Sequence, residues 1–290
     1  MRRENLVRDS GCPVAETRLP TGRLTVRAPP LSGGETTTLA QVEPVVVLIL
    51  AAVFIGALAQ RITGMGFGLV SGPFLVLLLD PVSGVLLVNL CGIVAAATVF
   101  ARTWREVEWP VFWKLAVGTV VGTVPGALLT TALPTASLQV LIGALIIASL
   151  AVSLLIGRVG TTMPANFGTQ FSAGFVSGTM SAAAGAGGPA VSAYAVLTRW
   201  EHRPFAATLQ PFLVVGTASA IIAKVIVDGG VWPQLDPAIW IGIGIVLVAG
   251  LLGGDLLAQK VAPTAARIAM IVLAFGGGAA TLAKGLGLFG

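Results

Sequence analysis

Two glycine-rich motifs are the residues of this chain best suited to chemistry within an apolar environment. The first runs from Gly64 to Pro73, and the second runs from Ser181 to Pro189. Glycine inside a helix costs about 1 kcal/mol relative to alanine, so clustered glycines beside a proline should interrupt a helix. An interrupted helix exposes main-chain N–H groups and the positive end of a helix dipole, which together suit an anion. We therefore predict an anion-binding site at these motifs.

The predicted site combines both motifs with the few polar side chains near them. Hydroxyl and amide groups can donate hydrogen bonds to sulfonate or carboxylate oxygens. Close packing of small residues and interhelical hydrogen bonds are the competing structural explanations. The predicted substrate-binding residues are Gly64, Gly66, Gly68, Ser71, Gly72, Pro73, Asn89, Ser181, Gly185, Gly187, Gly188, Pro189, Thr208 and Gln210. Arg61 immediately precedes the first motif and is predicted to attract the anion, with a plain loop role as the alternative.

Other kinds of chemistry receive little support from the sequence. No Gly-Lys-Ser/Thr follows the glycines, which argues against nucleotide binding, and Cys12 and Cys91 have no metal-ligand spacing. A serine protease would need a base beside Ser71 or Ser177, but the single histidine, His202, falls in a charged loop. The net charge of +5 is dispersed along the chain, so nucleic acid is not an expected partner. We predict no enzyme activity, no cofactor and no metal.

The elements that must position the motifs are membrane helices. The 290 residues are 56% hydrophobic and 10% charged, whereas soluble domains carry about 25% charged residues. Each spanning helix needs about 20 mostly apolar residues, and Pro134 and the glycines 185–188 divide the two longest apolar stretches. The stretches without Asp, Glu, Lys or Arg are 44–60, 62–79, 81–101, 115–157, 159–198, 204–223, 237–254 and 268–283.

The apolar region contains signs of an internal repeat. A glycine motif, then a Gly-x-x-x-Gly pair, then Pro-Thr-Ala recur in the same order roughly 120 residues apart. The second landmark starts at Gly122 in one half and at Gly250 in the other. We predict an all-α polytopic membrane protein of eight to ten segments, built from two homologous repeats, 42–158 and 159–290. Each repeat would hold four full helices and one short, glycine-broken segment, after a disordered, Arg-rich tail over 1–41.

The basic loops indicate how the chain crosses the membrane. If each motif segment is a return crossing, each half has five crossings, the second half is inverted and the basic loops face the cytoplasm. If the segments are re-entrant, each half has four helices and the tail lies inside. We favour the inverted arrangement, in a multi-pass protein of the inner membrane. The loop residues on the basic side are Arg61, Arg102, Arg105, Arg158, Arg199, Arg203 and Lys260.

Two further features have mainly structural interpretations. Lys224 and Asp255 lie near predicted helix ends, where snorkelling to the interface or ion pairing explains a charge more simply than function. Gly118, Gly122 and Gly126 recur every four residues, which predicts a bare helix face for the close approach of another backbone.

Together, these motifs resemble the TauE/SafE family of sulfite exporters and permeases, over about residues 44–284. The most specific segments are Gly64–Pro73, Gly178–Pro189 and Arg203–Thr208. The resemblance implies a secondary transporter that exports a small sulfur-containing anion, such as sulfite or an organosulfonate, across the cytoplasmic membrane. A passive anion channel and a transporter of another small carboxylate or organic anion are the alternatives. Membrane lipid is the surrounding partner, and a homo-oligomer is compatible with the sequence. The second motif departs from the first because it lacks an aromatic residue such as Phe67.

Overall fold

The structure is a computed structural model that is α-helical throughout its described part, without a β-strand there. The described residues are 44–64, 66–156, 162–227, 229, 232–258, 260 and 262–288. The predicted tail over 1–41 lies outside them.

Ten α-helices follow one another along the described residues, and a single 3₁₀ turn, Trp104–Glu106, separates the third from the fourth. Several begin with proline, which is favoured in the first turn because its missing N–H has no helical partner there. Asp80 caps the N-terminus of the third helix, because its side chain accepts a hydrogen bond from the N–H of Ser83 at 3.0 Å. The helices are α1 Pro44–Thr63, α2 Gly66–Leu78, α3 Pro81–Thr103, α4 Trp109–Ala132, α5 Thr135–Ile156, α6 Phe167–Ala184, α7 Gly188–Leu197, α8 His202–Val227, α9 Pro237–Ala258 and α10 Pro263–Gly285.

Seven of the described helices are long and apolar enough to cross a membrane: α1, α3, α4, α5, α8, α9 and α10. Two shorter apolar helices, α2 and α7, follow the glycine motifs. The predicted all-helical, polytopic architecture is therefore confirmed, and Pro134 does separate two helices.

Each motif forms a helical hairpin with a short returning helix. In the first hairpin, the Ser71 hydroxyl of α2 donates to the Ala52 carbonyl of α1, at 2.8 Å. In the second, the N–H of Met163, before α6, donates to the carbonyl of Leu197 at the end of α7, at 2.9 Å. The returning helices have 13 and 10 residues, which correspond to about 20 and 15 Å. Both are shorter than a hydrocarbon core of about 30 Å.

Ion pairs tie the helices together at the end of the molecule that is rich in arginine. Asp255 of α9 pairs with Arg61 of α1, and it also accepts from Arg102 of α3 at 3.0 Å. The ion-pair interpretation of Asp255 is confirmed. The snorkelling interpretation of Lys224, which belongs to α8, is wrong, because its side chain is completely buried in the protein and does not reach the surface.

The glycine-lined face of α4 packs against α6. A Cβ on Gly122 would lie 2.8 Å from the carbonyl carbon of Phe175, and one on Gly178 would lie 2.8 Å from that of Thr119. Real Cβ atoms do not approach backbone so closely, so only glycine permits this separation. The predicted packing face is confirmed, and its partner is a second glycine face that α6 supplies.

Candidate functional site

Both helix breaks are made by a glycine in the left-handed region of backbone conformation. Gly64 follows α1 with φ of 81°, and Gly185 follows α6 with φ of 68°. Each donates its N–H to the carbonyl four residues earlier, Gln60 at 2.8 Å and Ser181 at 2.9 Å. This is a common way to end a helix, and glycine adopts it without the steric cost of a Cβ.

The start of the helix that follows the first break touches the second break. Gly68, in the first turn of α2, lies so close to Gly185 that an added Cβ would overlap the Gly185 carbonyl oxygen and come within 3.2 Å of its carbon. The motifs are far apart in sequence, so this contact is a property of the folded chain alone. It brings the main chain of both predicted motifs into one place.

A small cavity of about 30 Å³ lies beside this contact. That volume suffices for only one or two water molecules, so a larger anion requires the helices around it to separate. Six predicted site residues line it: Gly68, Ser181, Gly185, Gly187, Gly188 and Pro189.

Two amide side chains hold the first break. Gln60 donates from Nε2 to the Gly64 carbonyl, and its Oε1 accepts from the N–H of Phe67, both at 3.1 Å. Gln210 of α8 donates to the same Gly64 carbonyl, also at 3.1 Å. One of the main-chain donors that we expected to be free at the start of α2 is therefore occupied by Gln60. The Oε1 atom of Gln210 is buried without a hydrogen-bond partner in the described part of the structure.

Hydroxyls and an asparagine hold the second break. Asn89 of α3 is fully buried and donates to the Ser181 carbonyl at 3.2 Å. Ser177 donates to the Gly187 carbonyl at 2.6 Å, which fixes the start of α7 against α6. Asn89 and Gln210 thus both reach the breaks from neighbouring helices.

Other predicted residues have partners elsewhere. Ser71 bonds α1, as described above, and the Pro73 carbonyl accepts from Thr281 of α10 at 3.2 Å. Thr208 accepts from the N–H of Glu108 just before α4, at 2.9 Å. Gly66 packs on α1, where a Cβ would lie 2.9 Å from Ala59, while a Cβ on Gly72 would keep an ordinary 3.6 Å from the Ala184 oxygen. The Arg61 guanidinium is directed at Asp255 rather than at the cavity.

A much larger cleft, of about 500 Å³, leads from the arginine-rich end towards the breaks. It shares Leu69 and Pro189 with the small cavity. Three basic side chains line it, Arg199, His202 and Arg267, so it favours negatively charged solutes. Its other polar lining residues are Thr63, Ser149, Ser153 and Ser192.

The turn between α7 and α8 places two unusual residues in this cleft. Arg199 has φ of 53°, a left-handed conformation that costs roughly 1–2 kcal/mol in a residue with a Cβ. Strain of this kind collects at binding sites because the surrounding structure maintains it. The adjacent Trp200 has a buried indole N–H without a hydrogen-bond partner among the described residues.

Sequence reasoning missed several residues of this region. Gln60 and Ser177 had a detectable signal, since each is a polar side chain in an apolar stretch. Gln60 lies four residues before Gly64, and Ser177 lies eight residues before Gly185. Thr217 and Trp200 looked like ordinary helix and interface residues. Arg267 gave no signal, because only the packing of α10 against α5 and α2 brings it to the cleft.

These features define a multi-pass α-helical membrane protein with two helix breaks in contact below a basic cleft. The family model described as sulfite exporter TauE/SafE matches residues 48–281. The chain therefore belongs to this family, which is a family of membrane transporters, and the resemblance described from the motifs is confirmed. Neither the curated proteins nor the solved structures contain a significant match to the chain.

Proposed function

We propose that this protein is a secondary transporter that exports a small sulfur-containing anion, such as sulfite or an organosulfonate, across the cytoplasmic membrane. The substrate would bind where the glycine-broken helices meet. The observation that carries this proposal is the contact of Gly68 with Gly185 at the inner end of the basic cleft. Irregular backbone at membrane depth is tolerated where it lines a cavity, and paired breaks are typical of transport sites.

The two halves, 42–158 and 159–290, would be inverted repeats. The matched left-handed glycines support this, because each ends the first helix of its half. Helix packing supports it as well: α1 packs on α9 as α6 packs on α4, while α3 packs on α8 and α5 on α10. Each half then contributes five helices, an odd number, which reverses the second half in the membrane.

The basic end would face the cytoplasm, by the positive-inside rule. An anion would enter the cleft past Arg199 and Arg267 and move towards Pro189. The small cavity is too narrow for it in this conformation, so the path beyond the breaks is closed. Rocking of one half against the other would then open the opposite side, which distinguishes a carrier from a passive channel. No cofactor or nucleic acid has a part in this proposal.

The experiment uses the purified full chain. A thermal-shift screen against sulfite, sulfate, thiosulfate, sulfoacetate and taurine identifies the ligand, and counterflow in proteoliposomes then measures transport. We expect saturable uptake that an excess of the same anion inside the vesicles accelerates. Non-saturable flux would indicate a channel instead, and stabilisation by a carboxylate alone would change the substrate class.

A single substitution tests the site itself. Gly68→Ala places a methyl group against the Gly185 carbonyl, and overpacking of this kind costs about 1–3 kcal/mol, so we expect uptake to fall about tenfold or more. Gly216→Ala is the matched control, because its Cβ would keep 3.7 Å from Thr119. Unchanged uptake in the folded Gly68→Ala protein would refute the proposed site.

A further inference from the structure

A second large cavity adjoins α7, and the proposed transport path does not use it. Its volume is about 500 Å³, as large as that of the basic cleft. Its walls come mainly from α5, α6 and α7, and most of the side chains that line it are apolar. Ala148 and Val152 of α5 and Ala173 and Val176 of α6 are among them. We call this space the apolar cavity.

The apolar cavity and the basic cleft lie along opposite faces of α7. Ala190 and Tyr194 line the apolar cavity, whereas Ser192 and Val196 line the cleft. Because an α-helix has 3.6 residues per turn, these two pairs lie roughly half a turn apart around the helix axis. The helix is therefore a wall with open space on both sides.

The start of α7 is the point where three spaces meet. Pro189, the second residue of the helix, lines the apolar cavity, the basic cleft and the small cavity beside the breaks. If this start moved into the apolar cavity, the cleft and the small cavity would no longer be separated at Pro189. The path that is too narrow in this conformation would then widen.

The ends of α7 are suited to such a movement. Left-handed Gly185 lies three residues before the helix, and left-handed Arg199 lies two residues after it. The helix begins with Gly188, and glycine gives the backbone further freedom there. At the other end, the carbonyl of Leu197 accepts from the N–H of Met163 at 2.9 Å. We therefore expect the start of α7 to move while its end acts as the pivot.

The movement would leave few polar groups without partners. The main-chain groups of a helix bond one another, so a helix can shift within apolar surroundings. Ala190 and Ala193 of α7 face the apolar cavity, and Ala148 and Ala173 line the walls that would receive them. The Ser177 hydroxyl, which donates to the Gly187 carbonyl at 2.6 Å, would have to release it, and hydrogen bonds between membrane helices are weak.

We propose that α7 is a gate whose start swings into the apolar cavity and joins the basic cleft to the small cavity. This inference rests on the proposed transport function. The substrate binds in the cleft while the gate is closed, and it passes the breaks only when the gate is open. Filling the apolar cavity should therefore block transport and leave binding in the cleft intact.

The test fills the apolar cavity from α5 in the full-length protein. Ala148→Phe extends a ring into the cavity, and Ala144→Phe is the matched control. Ala144 lies one turn earlier on α5, at an exposed position that lines none of the three spaces described above. With sulfite as the probe, thermal shift in detergent gives affinity, and proteoliposome uptake gives the transport rate.

We expect Ala148→Phe to lower uptake at least tenfold and to bind sulfite within threefold of wild type. The melting temperature of the ligand-free variant should stay the same or rise, because filling a cavity commonly stabilises a protein. A purely structural defect would lower it instead. Ala144→Phe should match wild type in all three measurements.

Each other result has a definite meaning. Wild-type uptake by folded Ala148→Phe would overturn the inference and leave the proposed function intact. An equal loss of uptake in Ala144→Phe, or a loss of sulfite binding in Ala148→Phe, would also overturn it. No binding or uptake of any anion by the wild-type protein would instead be a failure of the proposed function. If Ala148→Phe does not fold, Ala148→Leu is measured in the same way. Misfolding of both would show that the cavity has no room for α7, which overturns the inference.

Discussion

The two helix breaks share their backbone geometry and differ in the side chains that hold them. Gly64 and Gly185 are both left-handed, and each donates to a carbonyl four residues earlier. Around the first break, the amides of Gln60 and Gln210 converge on one carbonyl. Around the second, the Ser177 hydroxyl holds the start of α7. The comparison indicates that the backbone conformation is the common structural element, whereas a different set of side chains stabilises it at each break.

The surroundings of the two breaks also differ. The cleft lies against α7, through Pro189, Ser192 and Ala193, while Leu69 is the residue through which α2 reaches it. In this conformation, the second hairpin lines more of the cleft than the first, which reaches it through Ile62, Thr63 and Leu69. Matched substitutions in the two hairpins test whether function depends on the shared backbone or on the different surroundings.

The largest expected effect comes from filling the backbone contacts. In Gly66→Val and Gly187→Val, a Cβ would meet Ala59 at 2.9 Å and the Ser177 carbonyl oxygen at 2.8 Å, respectively. We expect both variants to insert in the membrane and to lose transport, at least about tenfold, since overpacking costs about 1–3 kcal/mol. Gly244→Val, where no atom lies within 4 Å of the added Cβ, is the control. Loss of transport in only one variant would show that the breaks are not equivalent.

Removing the side chains that hold the breaks should have an intermediate effect. Gln60→Leu leaves the buried N–H of Phe67 without its acceptor, which costs about 1–3 kcal/mol. Ser177→Ala removes one hydroxyl donor, for which about 0.6 kcal/mol is the average in membrane helices. Thermal denaturation in detergent should therefore give the larger loss for Gln60→Leu. The reverse order would mean that the second break depends more on its side chains than the first does.

A smaller and opposite pair of effects is expected at Arg199. Arg199→Gly relieves a left-handed conformation that costs roughly 1–2 kcal/mol, so the melting temperature should rise. The same change removes a charge from the cleft beside the second hairpin, so KM for sulfite should rise severalfold at low ionic strength. Arg199→Lys retains both the strain and the charge, and it should resemble wild type. A KM that does not change in Arg199→Gly would exclude this arginine from the anion path.

The smallest effect is expected just outside the cleft. Arg203 pairs with Glu106 at 2.7 Å, but their side chains are 80% and 39% exposed. Ion pairs this exposed contribute little to stability because water and salt screen them, so Arg203→Ala should change the melting temperature little and leave KM unchanged. A clear increase in KM would show that charge near the second hairpin matters regardless of whether it lines the cleft.

Several features could be predicted from local sequence, because they depend on composition and short-range conformation. Apolar stretches of sufficient length give membrane helices, prolines start them, and clustered glycines end them. The breaks at Gly64 and Gly185 and the packing face around Gly122 follow from such rules. The family assignment follows from the same motifs, since they recur in a characteristic order.

The partners of several polar residues could not be predicted, because they depend on helix rotation and on helices distant in sequence. Thr208 and Ser71 are polar and close to the motifs, yet their hydroxyls bond Glu108 and Ala52. Lys224 lies only three residues from the end of α8 and looked like an interfacial lysine, but its face of the helix is turned inward. Distance along the chain does not reveal which face of a helix meets which neighbour.

The amino-acid sequence by itself determined that this protein is helical, lies in a membrane and interrupts two of its helices with glycine. Hydrophobicity, helix length and backbone freedom are properties of the residues, so they can be inferred without a fold. Only the tertiary structure decided that Gly68 meets Gly185, that Arg267 joins Arg199 in one cleft and that Lys224 is enclosed. Each of these arises from helices that are far apart in sequence, and their packing balances many weak contacts that no local pattern specifies.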